Sequence, residues 1–542
     1  MRILLISLLV SFALGCAEQV EQPVEQPLDQ ATRPNILLIV LDDLAYTDIG
    51  AFGGEIATPN LDELAFNGVR FTNFHAGPSC APTRSMVMTG TDNHLAGMGS
   101  QSGLATDMQK THRQYQNKLL PDVPTIAELL QAEGYHTVAS AKWHLGDDDA
   151  LPSNRGFKRS FVLMPGGAGH FDATPMFSHY TADWREDGEP FALPEKFYTS
   201  DFMTDKVIEY IGEAEDGQPW FAYLGYTAPH WPLQAPPESI AKYEGRYDEG
   251  WEVLRHGRLE GAKRMGVVDA AAQGVHSEIG TGPWSELSED EKVRQSKVMA
   301  IYAAMVDRVD ENVGRLVAAL EARGELSNTV IVFMADNGAE GHRMELARDN
   351  ATWIPENFSL ALEDMGTKDS YVVLGPNWAR AGAVPFRESK ARLSEGGIRV
   401  PAFVSMPDVF QEVEQGVDGA YMRAMDLAPT FLDLVGAQAP EAMMGRSLLD
   451  RWLGGVEPYD KNEVIAAETY GRRMAQRGDW KVLWMEEPYG TGDWQLYNLA
   501  QDLGEQEDLS EEYPKIRAEL IEAWEAYAEE VGVVLPETPI YY

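Results

Sequence analysis

Cys80-Ala81-Pro82-Thr83-Arg84 holds one of only two cysteines in 542 residues. The other, Cys16, lies in a stretch that reads as a signal peptide, so the Cys80 thiol is available for chemistry rather than for a structural bridge. Pro82 suits the first turn of a helix, where the N–H it lacks would have no partner. A helix continuing through Ser85-Met86-Val87-Met88 to Thr89-Gly90 puts Arg84 on the face of residue 80, one turn on. A reactive side chain at a helix N-terminus beside a guanidinium makes an anion site. The competing reading is an inert buried cysteine beside a surface arginine.

Two further groupings carry chemistry. Leu41-Asp42-Asp43 and Ala335-Asp336-Asn337 each close an apolar run. In open parallel sheets ligands collect at the carboxyl ends of strands. Oxygen donors meeting there suit a hard divalent cation such as Ca²⁺ or Mg²⁺ and not zinc. One such pair alone reads as a solvated turn; the second pair, at the same topological position, favours a metal. Lys142-Trp143-His144 follows another apolar run, and Lys142 and His144 face the same side if the chain stays extended. The alternative is a surface lysine and a capping histidine. His75, His94, His112, His136, His179, His256, His276 and His342 read as structural or exposed. His170 is a weak pocket candidate, and Asp147-Asp148-Asp149 reads as a solvated loop.

Pro78-Ser79-Cys80-Ala81-Pro82-Thr83-Arg84, followed by Val87-Met88-Thr89-Gly90, resembles the signature of the type I sulfatases, in the alkaline phosphatase superfamily. Gly134 to Gly146 resembles the second motif of that family, with Ala141 where glycine is usual. Glu395-Gly396-Gly397-Ile398-Arg399-Val400-Pro401 is a further match, and Gly375-Pro376-Asn377-Trp378-Ala379 and Gly478-Asp479-Trp480-Lys481 resemble the bacterial arylsulfatase branch. The similarity spans roughly residues 33–535.

The resemblance implies that a maturation enzyme oxidises Cys80 to Cα-formylglycine, and that Asp42, Asp43, Asp336 and Asn337 bind Ca²⁺, or Mg²⁺ as in some members, which also touches residue 80. The implied reaction is hydrolysis of a sulfate monoester, an aryl, alkyl or saccharide sulfate, to alcohol and inorganic sulfate. It runs through a formylglycine-diol nucleophile and a sulfated hemiacetal. The implied catalytic set is Cys80, Arg84, Lys142, His144, His230, Lys390 and Asp336. Asp336 deprotonates the attacking hydroxyl, Lys142 and Lys390 stabilise the sulfate oxygens, and His230, with Lys390, protonates the departing alcohol. His144 takes the proton of the second hydroxyl and Arg84 orients the diol. Two alternatives stand beside this: a phosphonate monoester or phosphodiester hydrolase of the same superfamily, and a non-catalytic lipoprotein that binds sulfated glycans.

Composition constrains the partners. The formal charge is −41, with 85 acidic against 44 basic residues, which argues against nucleic acid and anionic membranes. An anionic substrate would be repelled by that global field, so a local cluster of cations is required. Residues 2–15 form a short apolar stretch behind one arginine, a secretory signal segment too short to span a bilayer. Ala13-Leu14-Gly15-Cys16 resembles a bacterial lipobox, and lipidation of Cys16 would leave residues 17–32 as a Pro/Gln/Glu-rich tether. Extended at about 3.1 Å per residue, that tether reaches roughly 50 Å. The expected location is an exported one, periplasmic or anchored to the outer membrane of a bacterium.

The elements that must hold these residues are legible as alternating runs. Asn35–Leu41, Thr137–Ser140, Trp220–Leu224, Thr329–Met334 and Val400–Val404 read as buried strands. Helical patterns cover 60–67, 126–133, 202–213 and 289–323, with a last one from about Asp426. The expected fold class is α/β, with a large mixed, mostly parallel sheet sandwiched by helices. A smaller C-terminal α+β subdomain follows, with short antiparallel strands over 472–485 and 494–499 and a helix over 514–531. The expected divisions are a signal peptide (1–15), a lipidated cysteine and tether (16–32), a catalytic domain (33–440) and the C-terminal subdomain (441–542). Substrate specificity is assigned to loops 165–195 and 340–385.

Overall fold

In the computed structural model the described residues are 33–101, 103–275, 282–347, 349–406, 415–537 and 540. The signal-peptide and tether readings, Cys16 included, and His276 lie outside the described residues. No described helix is long and apolar enough to cross a membrane.

The strands in chain order are β1 (Asn35–Leu41), β2 (Val69–Phe71), β3 (Phe74–His75), β4 (His136–Lys142), β5 (Arg159–Leu163), β6 (Trp184–Glu186), β7 (Glu189–Pro190), β8 (Trp220–Gly225), β9 (Thr329–Ala335), β10 (Ala402–Ser405), β11 (Gly416–Asp418), β12 (Met422–Arg423), β13 (Val464–Thr469), β14 (Arg472–Arg477), β15 (Trp480–Trp484) and β16 (Trp494–Asn498). Ten of them form one sheet, in the order β11-β2-β10-β9-β1-β8-β4-β5-β6-β7. Its centre, β9-β1-β8-β4-β5, is parallel. β10 runs antiparallel to both β9 and β2, and β6 and β7 add an antiparallel edge. Every residue of β1, β4, β8 and β9 is buried, as strands covered on both faces must be.

Helices cover both faces. The helix Glu289–Arg323 starts at a capping box between Ser288 and Glu291 and stops at Gly324, whose φ of 70° ends helical hydrogen bonding. It packs on Pro59–Phe66 and Thr199–Ile211. Cys80–Thr89, Ile126–Ala132 and Leu427–Leu434 pack together as a second layer. β13 to β16 form a separate antiparallel sheet. Its one face packs Ala466, Ala475, Val482 and Leu496 against Leu520 and Trp524 of the helix Pro514–Val531. Its other face packs Met474, Leu483 and Tyr497 against Leu393 and Ile398 of the main body.

Candidate active site

The register of the sheet brings the acidic pairs together. Leu41 is the partner of Ala335, and the Asp336 N–H donates to the Leu41 carbonyl at 3.0 Å, so Asp42 and Asp336 leave adjacent strands side by side. Asp43 is left-handed, with φ 66°. Its N–H donates to Asp336 Oδ1 at 3.2 Å, and Asn337 Nδ2 donates to its Oδ1 at 2.6 Å. Asp42 Oδ1 and Asn337 Oδ1 are buried and accept no hydrogen bond among the described residues. Orphaned buried oxygens are costly, and these sit among two further carboxylates. Burial, opposed by Lys390 and reinforced by Asp42, pushes the Asp43 carboxyl up to about 8. Burial and Asp42 likewise raise Asp336, against Arg84 and Lys142. Crowded carboxylates with unused oxygens fit a hard, oxygen-binding divalent cation, which would reverse those shifts.

Cys80 opens the helix Cys80–Thr89. Its Sγ and one oxygen each of Asp42 and Asp336 lie within 4.8 Å of one another. Burial raises the thiol, while Lys142 and Lys390 pull it down. Arg84, one turn on, points back under residue 80 and not into open space. Its Nε donates to Asp336 Oδ2 at 2.9 Å, and its Nη1 donates to the Lys142 carbonyl at 2.9 Å and to the Tyr223 hydroxyl at 3.1 Å.

The local cations are assembled as the charge balance requires. Lys142 Nζ donates to Asp42 Oδ2 at 2.6 Å, and Lys390 Nζ lies 2.7 Å from Asp43 Oδ1. Both lysines are fully buried. His230 Nε2 lies 3.7 Å from Asp43 Oδ2, and its Nδ1 is 2.6 Å from the Trp231 carbonyl. Burial, then Lys390 and Lys142, hold His230 well below the usual imidazole range. Burial and the same lysines, with Arg84, do this to His144.

Several expectations change. The chain does not stay extended from Lys142 to His144: β4 ends at Lys142 and His144 is left-handed, with φ 55°. Its ring lies over Gly166, where a Cβ would stand 2.7 Å from Cε1. Ala141 fits because its β8 partner is Gly225, whose missing side chain leaves room for the methyl. His170 is not in the pocket; it lies behind it, with Nε2 3.0 Å from the His230 carbonyl. His179 and His342, read as structural or exposed, line the cavity, as does Asp147 of the solvated loop. His75 and His94 are structural, bonded to Glu395 and to Asp92 and Glu468.

Glu340 was not anticipated. It is buried, with Oε2 3.6 Å from Lys390 Nζ, and it accepts from the His342 N–H at 2.8 Å. Burial pushes its carboxyl up, but His342 and Lys390 overcome that and hold it below the usual range. Its place three residues after Asn337, in the same strand-end loop, was the available signal.

A cavity of about 810 Å³ opens onto Cys80, His144 and His230. Met176, Phe177, Tyr180 and Met344 give it an apolar wall; Gln101, Asn117, Arg343 and Arg380 give a polar one. The segments 165–183 and 341–347, within the loops to which specificity is assigned, supply much of the lining.

A family model described as sulfatase matches residues 34–437. An uncharacterized sulfatase of Schizosaccharomyces pombe is 38% identical over 537 residues, covering 93% of this chain and 95% of its own. An arylsulfatase of Klebsiella aerogenes is 34% identical over 428 residues, covering 78% of this chain and 90% of its own. The solved structure of Ps i-CgsB in complex with k-i-k-neocarrahexaose superposes with a TM-score of 0.66 at 25% identity, covering 92% of this chain and 93% of that one.

Proposed function

The chain belongs to the sulfatase family and is a sulfuric ester hydrolase, and on that premise we propose how its pocket performs the reaction. The observation that carries the reading is the meeting of Cys80, Asp42 and Asp336 within 4.8 Å, with Lys142 and Lys390 on the neighbouring carboxylate oxygens.

When hydrated, a formylglycine at residue 80 supplies a geminal diol, with one hydroxyl to attack sulfur and a second to drive release of sulfate. A Ca²⁺ or Mg²⁺ ion held by Asp42, Asp43, Asp336 and Asn337 supplies positive charge to the sulfate oxygens. Asp336, oriented by Arg84 and the Asp43 N–H, takes the proton of the attacking hydroxyl at its carboxylate. Lys142 and Lys390 stabilise the charge that grows on the sulfate oxygens, in a site dry enough to make each worth several kcal/mol. The His230 Nδ1 carries a proton, because the Trp231 carbonyl can only accept. In the neutral ring, Nε2 is then a lone pair. Lys390 therefore gives the proton to the departing alcohol, and His230 assists only after taking one up. His144, held neutral, accepts the proton of the second hydroxyl.

The alcohol is an aryl or alkyl one, laid on Met176, Phe177, Tyr180 and Met344. An aryl sulfate and an aryl phosphate diester, assayed side by side with the matured protein, test the reaction class. Sulfate is expected to be preferred at least about tenfold in kcat/KM, a difference of about 1.4 kcal/mol. A preference for the diester would contradict the reading. Cys16 is proposed as a lipid anchor on the strength of its lipobox-like context; palmitate labelling that survives Cys16→Ala would contradict that.

A further inference from the structure

The C-terminal sheet reaches the active site through one hairpin tip. Tyr470 and Gly471 join β13 to β14, both left-handed, with φ 59° and 93°. Such two-residue turns favour Asn or Asp followed by Gly, since a bulky side chain at positive φ is strained. Hairpin tips are also ordinarily exposed, yet Tyr470 is 1% exposed. A strained, buried tyrosine at a tip calls for a compensating contact, and the contact is beside the nucleophile.

The Tyr470 hydroxyl donates to Ser79 Oγ at 3.0 Å, and Ser79 Oγ donates to Gln101 Oε1 at 2.8 Å. Ser79 is the N-cap residue of the helix that begins with Cys80, but its side chain makes no capping hydrogen bond. A serine there ordinarily accepts from the first turn. This hydroxyl is instead spent between the hairpin and a cavity-lining glutamine.

Two residues along, Arg472 Nη1 donates to the Ala391 carbonyl at 2.7 Å. Ala391 follows Lys390 and is itself left-handed, with φ 65°. Its N–H donates to the Pro78 carbonyl at 2.6 Å. The segment carrying residue 80 and the segment carrying Lys390 are thus tied to each other, and the hairpin holds both from behind. Glu468 fixes the tip in turn, accepting the Gly471 N–H at 2.6 Å.

We propose that the hairpin tip is a positioning device for the reaction: Tyr470 sets residue 80 through Ser79, and Arg472 sets Lys390 through Ala391. The inference rests on the sulfatase reading of the pocket. It makes the C-terminal sheet a working part of the active site, because neither contact is supplied by the main sheet.

The test uses full-length protein, with conversion of residue 80 measured by mass spectrometry so that rates are per matured molecule. Tyr470→Phe keeps the ring and removes the hydroxyl. Its kcat on 4-nitrophenyl sulfate is expected to fall about tenfold or more with KM within about twofold, since small misplacements of reacting groups act on the chemical step. The thermal midpoint is expected to stay with that of the parent. Ser79→Ala, which also strips the Gln101 contact, is expected to cost at least as much, and the double variant no more than Ser79→Ala alone, because the Tyr470–Ser79 hydrogen bond cannot be lost twice. In unmatured protein, the rate at which iodoacetamide alkylates Cys80 is expected to change severalfold in Tyr470→Phe. A Tyr470→Phe enzyme with the parental kcat overturns the proposal. So does a loss of kcat that tracks a lowered midpoint, or a double variant whose losses multiply. A matured parent that turns over no sulfate ester defeats the underlying reading instead, and the alkylation rates still judge the hairpin.

Discussion

At the scale of single residues, the same chemistry serves two ends in this chain. Around Cys80, buried charges are packed so that oxygens and a neutral imidazole remain available for a cation and a substrate. Around His94 they are packed until nothing remains available. Its Nδ1 and Nε2 each lie 2.9 Å from a carboxylate oxygen, of Asp92 and Glu468 respectively. Burial alone would lower His94, but the two carboxylates overcome it and raise it from 6.5 to about 9. A raised folded-state value means that the folded protein binds this proton more tightly than the unfolded chain does. The stabilisation is therefore complete below about pH 6.5 and lost as pH rises through about 9. The thermal midpoint of the parent should exceed that of His94→Gln most at pH 6, and the gap should narrow steadily towards pH 9.5. A gap that widens with pH would contradict the assignment.

At the scale of elements, what places the site is strand register. β1 and β9 end level, so two acidic pairs far apart in sequence leave the sheet together. This much was legible, because Asn35–Leu41 and Thr329–Ala335 are continuous apolar runs that end in the pairs themselves. The helices Glu289–Arg323 and Pro514–Val531 were legible through their long amphipathic period. β13 was not: Ala466-Ala467-Glu468 carries no strand pattern, and its place is fixed by pairing with β14. The antiparallel run of β10 and the left-handed turn at His144 likewise have no local signature. The proposed metal ligands are strand-end residues, and that position predicts their sensitivity. Asn337 offers one buried oxygen that accepts no hydrogen bond among the described residues. Asn337→Ala should raise the Ca²⁺ concentration for half-maximal activity by about tenfold or more, measured by titrating chelated protein. Full activity after exhaustive chelation would contradict a metal role.

At the scale of the whole molecule, the C-terminal sheet and the main body share a buried ionic cluster. Lys481 Nζ lies 2.7 Å from Glu395 Oε1 and 2.8 Å from Glu505 Oε1, with all three side chains fully buried. Glu395 also meets His75 at 3.0 Å. Glu395 opens a segment read from sequence only as a family match, and nothing in its local pattern announced a partner on β15. Contacts of this kind, like Tyr470 on Ser79 and Glu340 beside Lys390, are tertiary and leave no trace in spacing. Removing one partner from a buried charge cluster typically costs about 3–5 kcal/mol, because the others are left unpaired. Lys481→Met should lower unfolding free energy by about that amount in denaturant titration; a change below about 1 kcal/mol, the usual worth of an exposed pair, would contradict the cluster's role.

The central claim is that Cys80, an oxygen-bound cation and the two buried lysines act as one hydrolytic centre. The most direct test is the steady-state release of sulfate from 4-nitrophenyl sulfate by the Ca²⁺-loaded protein, produced with a maturation enzyme, beside its Cys80→Ala variant. The account predicts repeated turnover by the first and none above background by the second. Equal turnover by the two would contradict it.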